Sequence, residues 1–293
     1  MILIFGSINV DVIVPVPRLP MPGETVLGGD YALLSGGKGA NQAMAACRAG
    51  ADVVMVGAVG GDGFAAAALD PLRRAGIDTR AVRTVEQPTG CAAIMVSAGG
   101  ENMIAVASGA NAGARCEFVP DELLRPETVL VAQMEVPPDE TAAVIRRVRA
   151  RGGRCVLNLA PALPIDAELL PEIDLIVTNE GEALSLGSDP ARVASLLRQG
   201  LVVTRGAAGA IAYLADGVIL AVPTLPIVPI DTTGAGDTFV GVLAAGLDLG
   251  APIETALRRA CVAAGLACLA RGAQTAMPDA AAIDAAMVGP APG

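Results

Sequence analysis

Short apolar runs of strand length alternate with amphipathic helical stretches from one end of the chain to the other. That alternation predicts a mostly parallel sheet with helices on both faces, because each parallel strand needs a crossover and each crossover helix must bury one stripe. Strands are expected over 2–5, 53–56, 129–132, 155–158, 175–178 and 201–204, and helices over 40–49, 63–75, 139–151, 191–198, 235–247 and 253–270. Two stretches break the rhythm and read as antiparallel additions. The first, 10–34, carries Pro15, Pro17, Pro20 and Pro22, too many for a central strand but acceptable at edges and crossings. The second pairs 91–97 with 102–107 across Ala98-Gly99-Gly100-Glu101, a hairpin signal. Together they predict a small β-sheet lid, inserted at about 10–35 and 88–108 into a single domain spanning 1–293, above the carboxyl ends of a three-layer α/β/α core where ligands of open sheets bind.

The chemistry is narrowed by what the chain lacks. It has no histidine, which removes Ser-His-Asp and Cys-His catalysis and most transition-metal sites. Acid–base work falls to carboxylates. Lys38 is the sole lysine among twenty basic residues, and it stands inside Gly36-Gly37-Lys38-Gly39. A compact ammonium in a glycine turn suits a specific donor role better than an arginine would. The six cysteines form no C-x-x-C pair and read as buried thiols, with Cys261 and Cys268 on one helical face. A net charge of −10 disfavours nucleic acid. No apolar run is long enough for a membrane span, and the first residues read as a strand rather than a leader, so a cytoplasmic protein is expected.

Five stretches carry candidate chemistry. Asp231-Thr232-Thr233-Gly234-Ala235-Gly236-Asp237-Thr238 precedes an apolar helix, so glycine-permitted turns and the helix dipole can converge N–H groups on an oxyanion such as phosphate. Asp237 in that first turn is either an N-terminal charge or a base beside the phosphate. Gly36 to Ala43 resembles a P-loop only superficially, because Gly39 stands where Ser or Thr is required. The glycines of 57–63 lack the dinucleotide spacing. Asn9 and Asp11 place an amide and a carboxylate on one face after the first strand, which suits hydroxyl binding or an ordinary turn. Asn179-Glu180-Gly181-Glu182 opens a helix and could serve a hydrated metal or simply start the helix. Thr204 to Gly209 is a glycine-spaced loop suited to phosphate or ribose contacts, or to a hairpin.

In combination these stretches, with Gln133-Met134-Glu135-Val136-Pro137, Asn158-Leu159-Ala160-Pro161-Ala162 and Gly272-Ala273-Gln274, resemble the PfkB family of carbohydrate kinases, in its ribokinase branch, over nearly the whole length. The resemblance implies a ribokinase-like fold and an ATP-dependent kinase acting on the primary hydroxyl of a small sugar, with D-ribose first. It implies a sugar site of Asn9, Asp11, Gly37, Lys38, Asn41 and Glu135, with Ala92, Ile94 and Val106 of the lid against its apolar face. Asp237 would be the base and Gly234, Ala235 and Gly236 the anion hole. ATP would lie along Asn179, Thr204, Gly206 and Gly209, with Asn179 and Glu182 placing Mg²⁺ through water. A monovalent cation, K⁺, would sit among Asp231, Thr233, Ala270, Gly272 and Ala276, although Ala276 lacks the side-chain oxygen often found there. A homodimer through the lid is the further implication. The alternatives are a kinase of the same family for a nucleoside or another sugar, and a non-catalytic sugar or nucleotide sensor. Few aromatic residues are present to stack a nucleobase, which favours a sugar.

Overall fold

The computed structural model describes residues 1–288. Its first half runs β1 (Ile2–Phe5), β2 (Asn9–Val16), β3 (Ala32–Gly36), α1 (Lys38–Arg48), β4 (Val53–Gly60), α2 (Gly63–Arg74), β5 (Asp78–Val85), β6 (Gly90–Ser97) and β7 (Asn102–Ala107). The second half runs β8 (Val129–Gln133), α3 (Pro138–Ala150), β9 (Arg154–Asn158), β10 (Leu175–Asn179), α4 (Glu180–Ala183), α5 (Pro190–Ala194), β11 (Gly200–Thr204), β12 (Ala210–Leu214), β13 (Ile219–Val222), α6 (Ala235–Asp248), α7 (Ile253–Ala267) and α8 (Ala280–Met287).

β1 shows how the layers arise. Its side chains point alternately to opposite faces. Ile2 and Ile4 enter one core with α1, α2, α6, α7 and α8, while Leu3 and Phe5 enter the other with α3 and α5. A strand buried on both faces must be apolar throughout, and this one is. The nine-stranded sheet has the order β13-β12-β11-β10-β9-β8-β1-β4-β5. Its strands run parallel from β11 to β5, and β12 and β13 close one edge as antiparallel additions. From β1 the chain moves outward to β4 and β5, then returns to β8 on the other side of β1. The connections therefore diverge between β1 and β8, where a crevice opens beyond the carboxyl ends.

A second, four-stranded sheet has the order β3-β2-β6-β7. The hairpin of β6 and β7 forms as expected, with Ala92 opposite Val106 and Ile94 opposite Ile104. Purely antiparallel pairing does not hold. β2 and β6 run parallel over their length, because each leaves the carboxyl end of a parallel strand, β1 or β5, and climbs in the same direction. Pro15 is accommodated in β2 because the pairing with β3 ends at Ile13, leaving that side of the strand free of a ladder.

Three strands and one helix escape the periodicity reading. β5 is an edge strand that exposes Arg80 and Arg83, so its apolar pattern is broken. β12 and β13 are short, and only alternate residues are buried against α7. In α8 only Ile283 is buried, too little for a periodic signal. Two helices stop early. After Ala194 the chain tightens through three-residue bonds, Leu196 N–H to Val193 and Leu197 N–H to Ala194, and α7 ends at Ala267 on the way to the left-handed Gly272.

Candidate active site

Gly234 precedes α6 with φ +74°, a left-handed backbone that a side chain would resist. The turn commits the Ala235 N–H to the Thr232 carbonyl at 3.2 Å, whereas the N–H groups of Gly236 and Asp237 have no acceptor among the described residues. These amides lie at the positive end of a helix that is buried from Asp237 to Leu247. The sequence pointed to Gly234, Ala235 and Gly236 together. Here the Ala235 amide is occupied by the turn itself, and the Asp237 amide joins Gly236 in having no acceptor among the described residues.

The Asp237 carboxylate is buried and held on both oxygens. Asn41 Nδ2 donates to Oδ2 and Gln42 Nε2 to Oδ1, each at 3.0 Å. Both donors sit in the first turns of α1, whose approach to α6 is allowed by the missing side chain of Gly241. Gln133 Nε2 in turn donates to Gln42 Oε1 at 2.7 Å, and Gln274 Nε2 donates to Asn41 Oδ1 at 3.1 Å. Asn41 therefore spends its amide on the carboxylate and on Gln274.

Around this carboxylate the carboxyl ends of β1 and β8 bring polar groups together. Glu135 Oε2 accepts from Ser7 Oγ at 2.5 Å and from the Lys38 N–H at 3.2 Å. Asn9 is buried at the start of β2, and its Oδ1 accepts from Asn111 Nδ2 at 2.7 Å. Asp11 lies two residues along the same face. Burial, then the nearby charges of Glu135 and Asp237, raise its carboxyl to about 6. Burial works against the Lys38 ammonium, but the carboxylates of Asp237, Glu135 and Glu182 outweigh it and hold its pKa above the ordinary lysine value. Gly37, left-handed at φ +89°, places Lys38 at the head of α1. One cation amid Asp11, Glu135 and Asp237 forms a pocket of strong donors and acceptors suited to a small polyol.

A cavity of about 1630 Å³ lies between the small sheet and the loops that flank α6 and α7, lined by Asp11, Ser35 and Ile94 at one side and by Asp231, Thr233 and Gln274 at the other. Ile94 is joined there by Val96 and Ile104. Ala92 is buried and Val106 is exposed, and neither is part of the lining.

On the other flank, Asn179 and Thr204 are register partners at the ends of β10 and β11. The Asn179 side chain accepts from the Glu182 N–H at 2.8 Å, while Glu182 Oε2 accepts from the Asn179 N–H at 2.9 Å, so the pair forms a reciprocal cap on α4. Thr204 Oγ1 donates to the Thr178 carbonyl at 3.1 Å. Gly206 and Gly209, both left-handed, make the turn between β11 and β12, and Arg205 ties that turn to Glu180 at 3.1 Å. This loop is a hairpin connection that also faces the carboxyl edge. Asp231 Oδ1 accepts from the N–H and hydroxyl of Thr233, and its Oδ2 accepts from Gly272 N–H at 2.9 Å. Partial burial alone would raise the Asp231 carboxyl, but the bonds from Gly272 and Thr233 hold it below the usual range. The bond to Gly272 joins the loop before α6 to the loop after α7 that carries Ala270 and Ala276.

Sequence reasoning gave no role to Ser7, Gln42, Asn111, Gln133 or Gln274. Three of these stood within the motifs quoted above. Their signal was an amide at an otherwise apolar helix or strand end, which burial makes costly unless it is paired. Ser7 and Asn111 carry no motif.

The pfkB family carbohydrate kinase model matches residues 1–280 of this chain. The ribokinase of Bacillus subtilis is 37% identical over 281 residues, which cover 94% of this chain and 96% of that protein. The structure of Arabidopsis thaliana ribokinase complexed with ribose and ATP is similar with a TM-score of 0.90 at 30% identity, covering 98% of both chains. The ribokinase structure from Thermotoga maritima has the same TM-score at 28% identity, again covering 98% of both. The chain thus belongs to the pfkB family of carbohydrate kinases.

Proposed function

We propose that this chain is an ATP-dependent ribose kinase, transferring the γ-phosphoryl group to the primary hydroxyl of D-ribose. One observation carries the reading: Asp237 stands in the first turn of α6, beside helix amides that have no acceptor among the described residues and near the charged groups of Asp11, Lys38 and Glu135. Phosphoryl transfer requires positioning, charge stabilisation and an acceptor for the hydroxyl proton, with little covalent work from the protein. Asn9, Asp11, Gly37, Lys38, Asn41 and Glu135 would grip the sugar hydroxyls. Asp237 would take the proton, and the turn of Gly234, Ala235 and Gly236 would present the Gly236 and Asp237 amides to the charge on the phosphates.

ATP would lie along Asn179, Thr204, Gly206 and Gly209. Mg²⁺ would supply neutralisation of the phosphate charge when bound. The residues fit a largely hydrated ion, since Glu182 keeps one carboxylate oxygen outside its cap and Mg²⁺ commonly retains several waters. K⁺ would be held by oxygens of Asp231, Thr233, Ala270, Gly272 and Ala276, a set whose two loops the Asp231 carboxylate joins through its bonds from Thr233 and Gly272. Ala276 offers a carbonyl alone, and the neighbouring Thr275 hydroxyl already donates to Arg271.

We read the chain as one domain in which the small sheet, from about 10–35 and 88–108, closes over the sugar with Ala92, Ile94 and Val106 on its apolar side and excludes water. β3 and β7 are the edges of that sheet, and β7 exposes Met103, Ile104 and Val106. A second copy pairing there would bury them in a homodimer. Light scattering that gives a monomer at working concentration would count against that. No helix among the described residues is long and apolar enough to cross a membrane. A cytoplasmic site of action is proposed, where ATP is available.

With four Phe, two Tyr and no Trp, the chain has few side chains to stack a nucleobase, which favours a sugar over a nucleoside. A coupled ADP-release assay over ribose, deoxyribose, fructose, ketodeoxy sugar acids and nucleosides, in K⁺ and in Na⁺, tests the proposal. Ribose should give the highest kcat/KM. A nucleoside outperforming it would replace the substrate, and no ADP release with any acceptor would favour a sensor.

A further inference from the structure

We infer that Gln42, held in one orientation by Gln133, is a positioning residue for the carboxylate of Asp237. The inference rests on the proposed role of Asp237 as base. An ionised carboxylate can only accept hydrogen bonds. Asn41 and Gln42 must therefore both turn their NH₂ groups toward Asp237, which leaves their carbonyl oxygens facing away. Those oxygens meet the NH₂ groups of Gln274 and Gln133. Two amide chains of fixed polarity thus end on the two oxygens of one carboxylate.

The Gln133 branch has no outlet to the substrate. Gln42 and Gln133 have no exposed surface. Gln133 Oε1 is buried without a partner, packed where a Cβ on residue 6 would stand 1.7 Å from it, so Gly6 supplies its space. A leucine would fill similar volume without leaving a carbonyl unpaired. Packing alone gives no reason for a glutamine here, whereas the N–H that fixes the Gln42 amide does. With Gln42 locked, Asp237 cannot rotate about its own side chain, and the geometry of proton transfer is set before substrate arrives.

Steady-state kinetics of Gln42→Leu, Gln133→Leu and the double variant in the full chain, with ribose, ATP and Mg²⁺, test this. Each single substitution should lower kcat by about tenfold to hundredfold. KM for both substrates should stay within about twofold, since uniform binding is untouched. The double variant should fall no further than Gln42→Leu, because Gln133 acts through Gln42. Melting temperature and ribose binding by calorimetry establish that each variant is folded. If Gln42→Leu does not fold, Gln133→Leu and the milder Gln133→Met carry the test alone. A wild-type kcat in any folded variant, a loss confined to KM, or independent losses that multiply in the double variant would overturn the inference. Asp237→Asn separates the two levels. If it retains wild-type turnover, the base assignment itself fails; if it is inactive while Gln42→Leu is unimpaired, only the positioning role fails.

Discussion

Gly241 of α6 lies against Gln42 of α1, so closely that a Cβ on residue 241 would stand 2.5 Å from the Gln42 carbonyl oxygen. The contact is one helical turn beyond Asp237, and it sets how near the two helices can come. Through it the Gln42 amide reaches Asp237 Oδ1 at 3.0 Å. Gly241→Ala should force the helices apart, at a stability loss of about 1–3 kcal/mol. Turnover should fall as well, because the displaced helix carries both amides that hold the Asp237 carboxylate, the proposed base. Thermal melting and ADP release measured on the same preparation check this, and a variant unchanged in both would mean that the spacing of α1 and α6 does not control the site.

Asp237→Asn should remove a proton acceptor at nearly unchanged size, with loss of one of the two hydrogen bonds from Asn41 and Gln42, since its NH₂ must face one of theirs. General-base catalysis is typically worth about 10²- to 10⁴-fold, so kcat should fall by that factor. Ribose and ATP affinity should change little, since the groups proposed to grip the sugar lie on β2, at and within the start of α1 and just after β8. Calorimetric titration of each ligand beside a rate measurement distinguishes lost chemistry from lost binding.

Much of this arrangement is legible in the sequence, and the remainder is hidden for physical reasons. The parallel core is readable because strands such as Ile2–Phe5 are buried on both faces and so are apolar without a break. The edge strand Asp78–Val85 is not, since only part of it meets the core. Asp237 stands out by its place beside Gly234 and Gly236. The role of Asn41 was only half visible: its proximity to the site follows from the glycine turn before it, but its bond to a residue 196 positions away depends on how α1 packs on α6. Gln133 ends an apolar strand, and nothing local states that its partner is Gln42. Asn111, which orients Asn9 from a short helical turn after β7, is equally a product of tertiary packing.

Gly234→Ala tests the turn that feeds α6. The left-handed φ costs a residue with a Cβ about 1–2 kcal/mol. The new methyl would also meet Ala273 Cβ at 2.9 Å. Relief requires the turn to rotate, which redirects the Gly236 and Asp237 amides. Loss of a preorganised oxyanion donor typically costs about 10²- to 10³-fold in kcat. The expected result is a protein with lowered melting temperature, that loss of turnover and nearly unchanged ribose affinity. Ribose affinity falling as steeply as turnover would place the effect on the sugar side instead.

Asp11 gives the folded protein a pH dependence whose sign is fixed by its environment. Burial and the neighbouring charges of Glu135 and Asp237 raise its carboxyl from 3.8 to about 6. Between those two values the unfolded chain has lost the proton and the folded chain has kept it. Fewer protons on the unfolded state mean that stability falls as pH rises, with the loss complete above the folded value. The shift corresponds to at most about 3 kcal/mol, reduced by solvent screening of the exposed part of the group. Asp11→Asn cannot ionise, so urea denaturation across about pH 4 to 7 should show the variant gaining on the wild type as pH increases. The gain should level off once Asp11 is ionised in both states. Parallel curves for the two proteins would mean that Asp11 titrates alike folded and unfolded, and that the crowding of carboxylates around Lys38 is already balanced before any sugar binds.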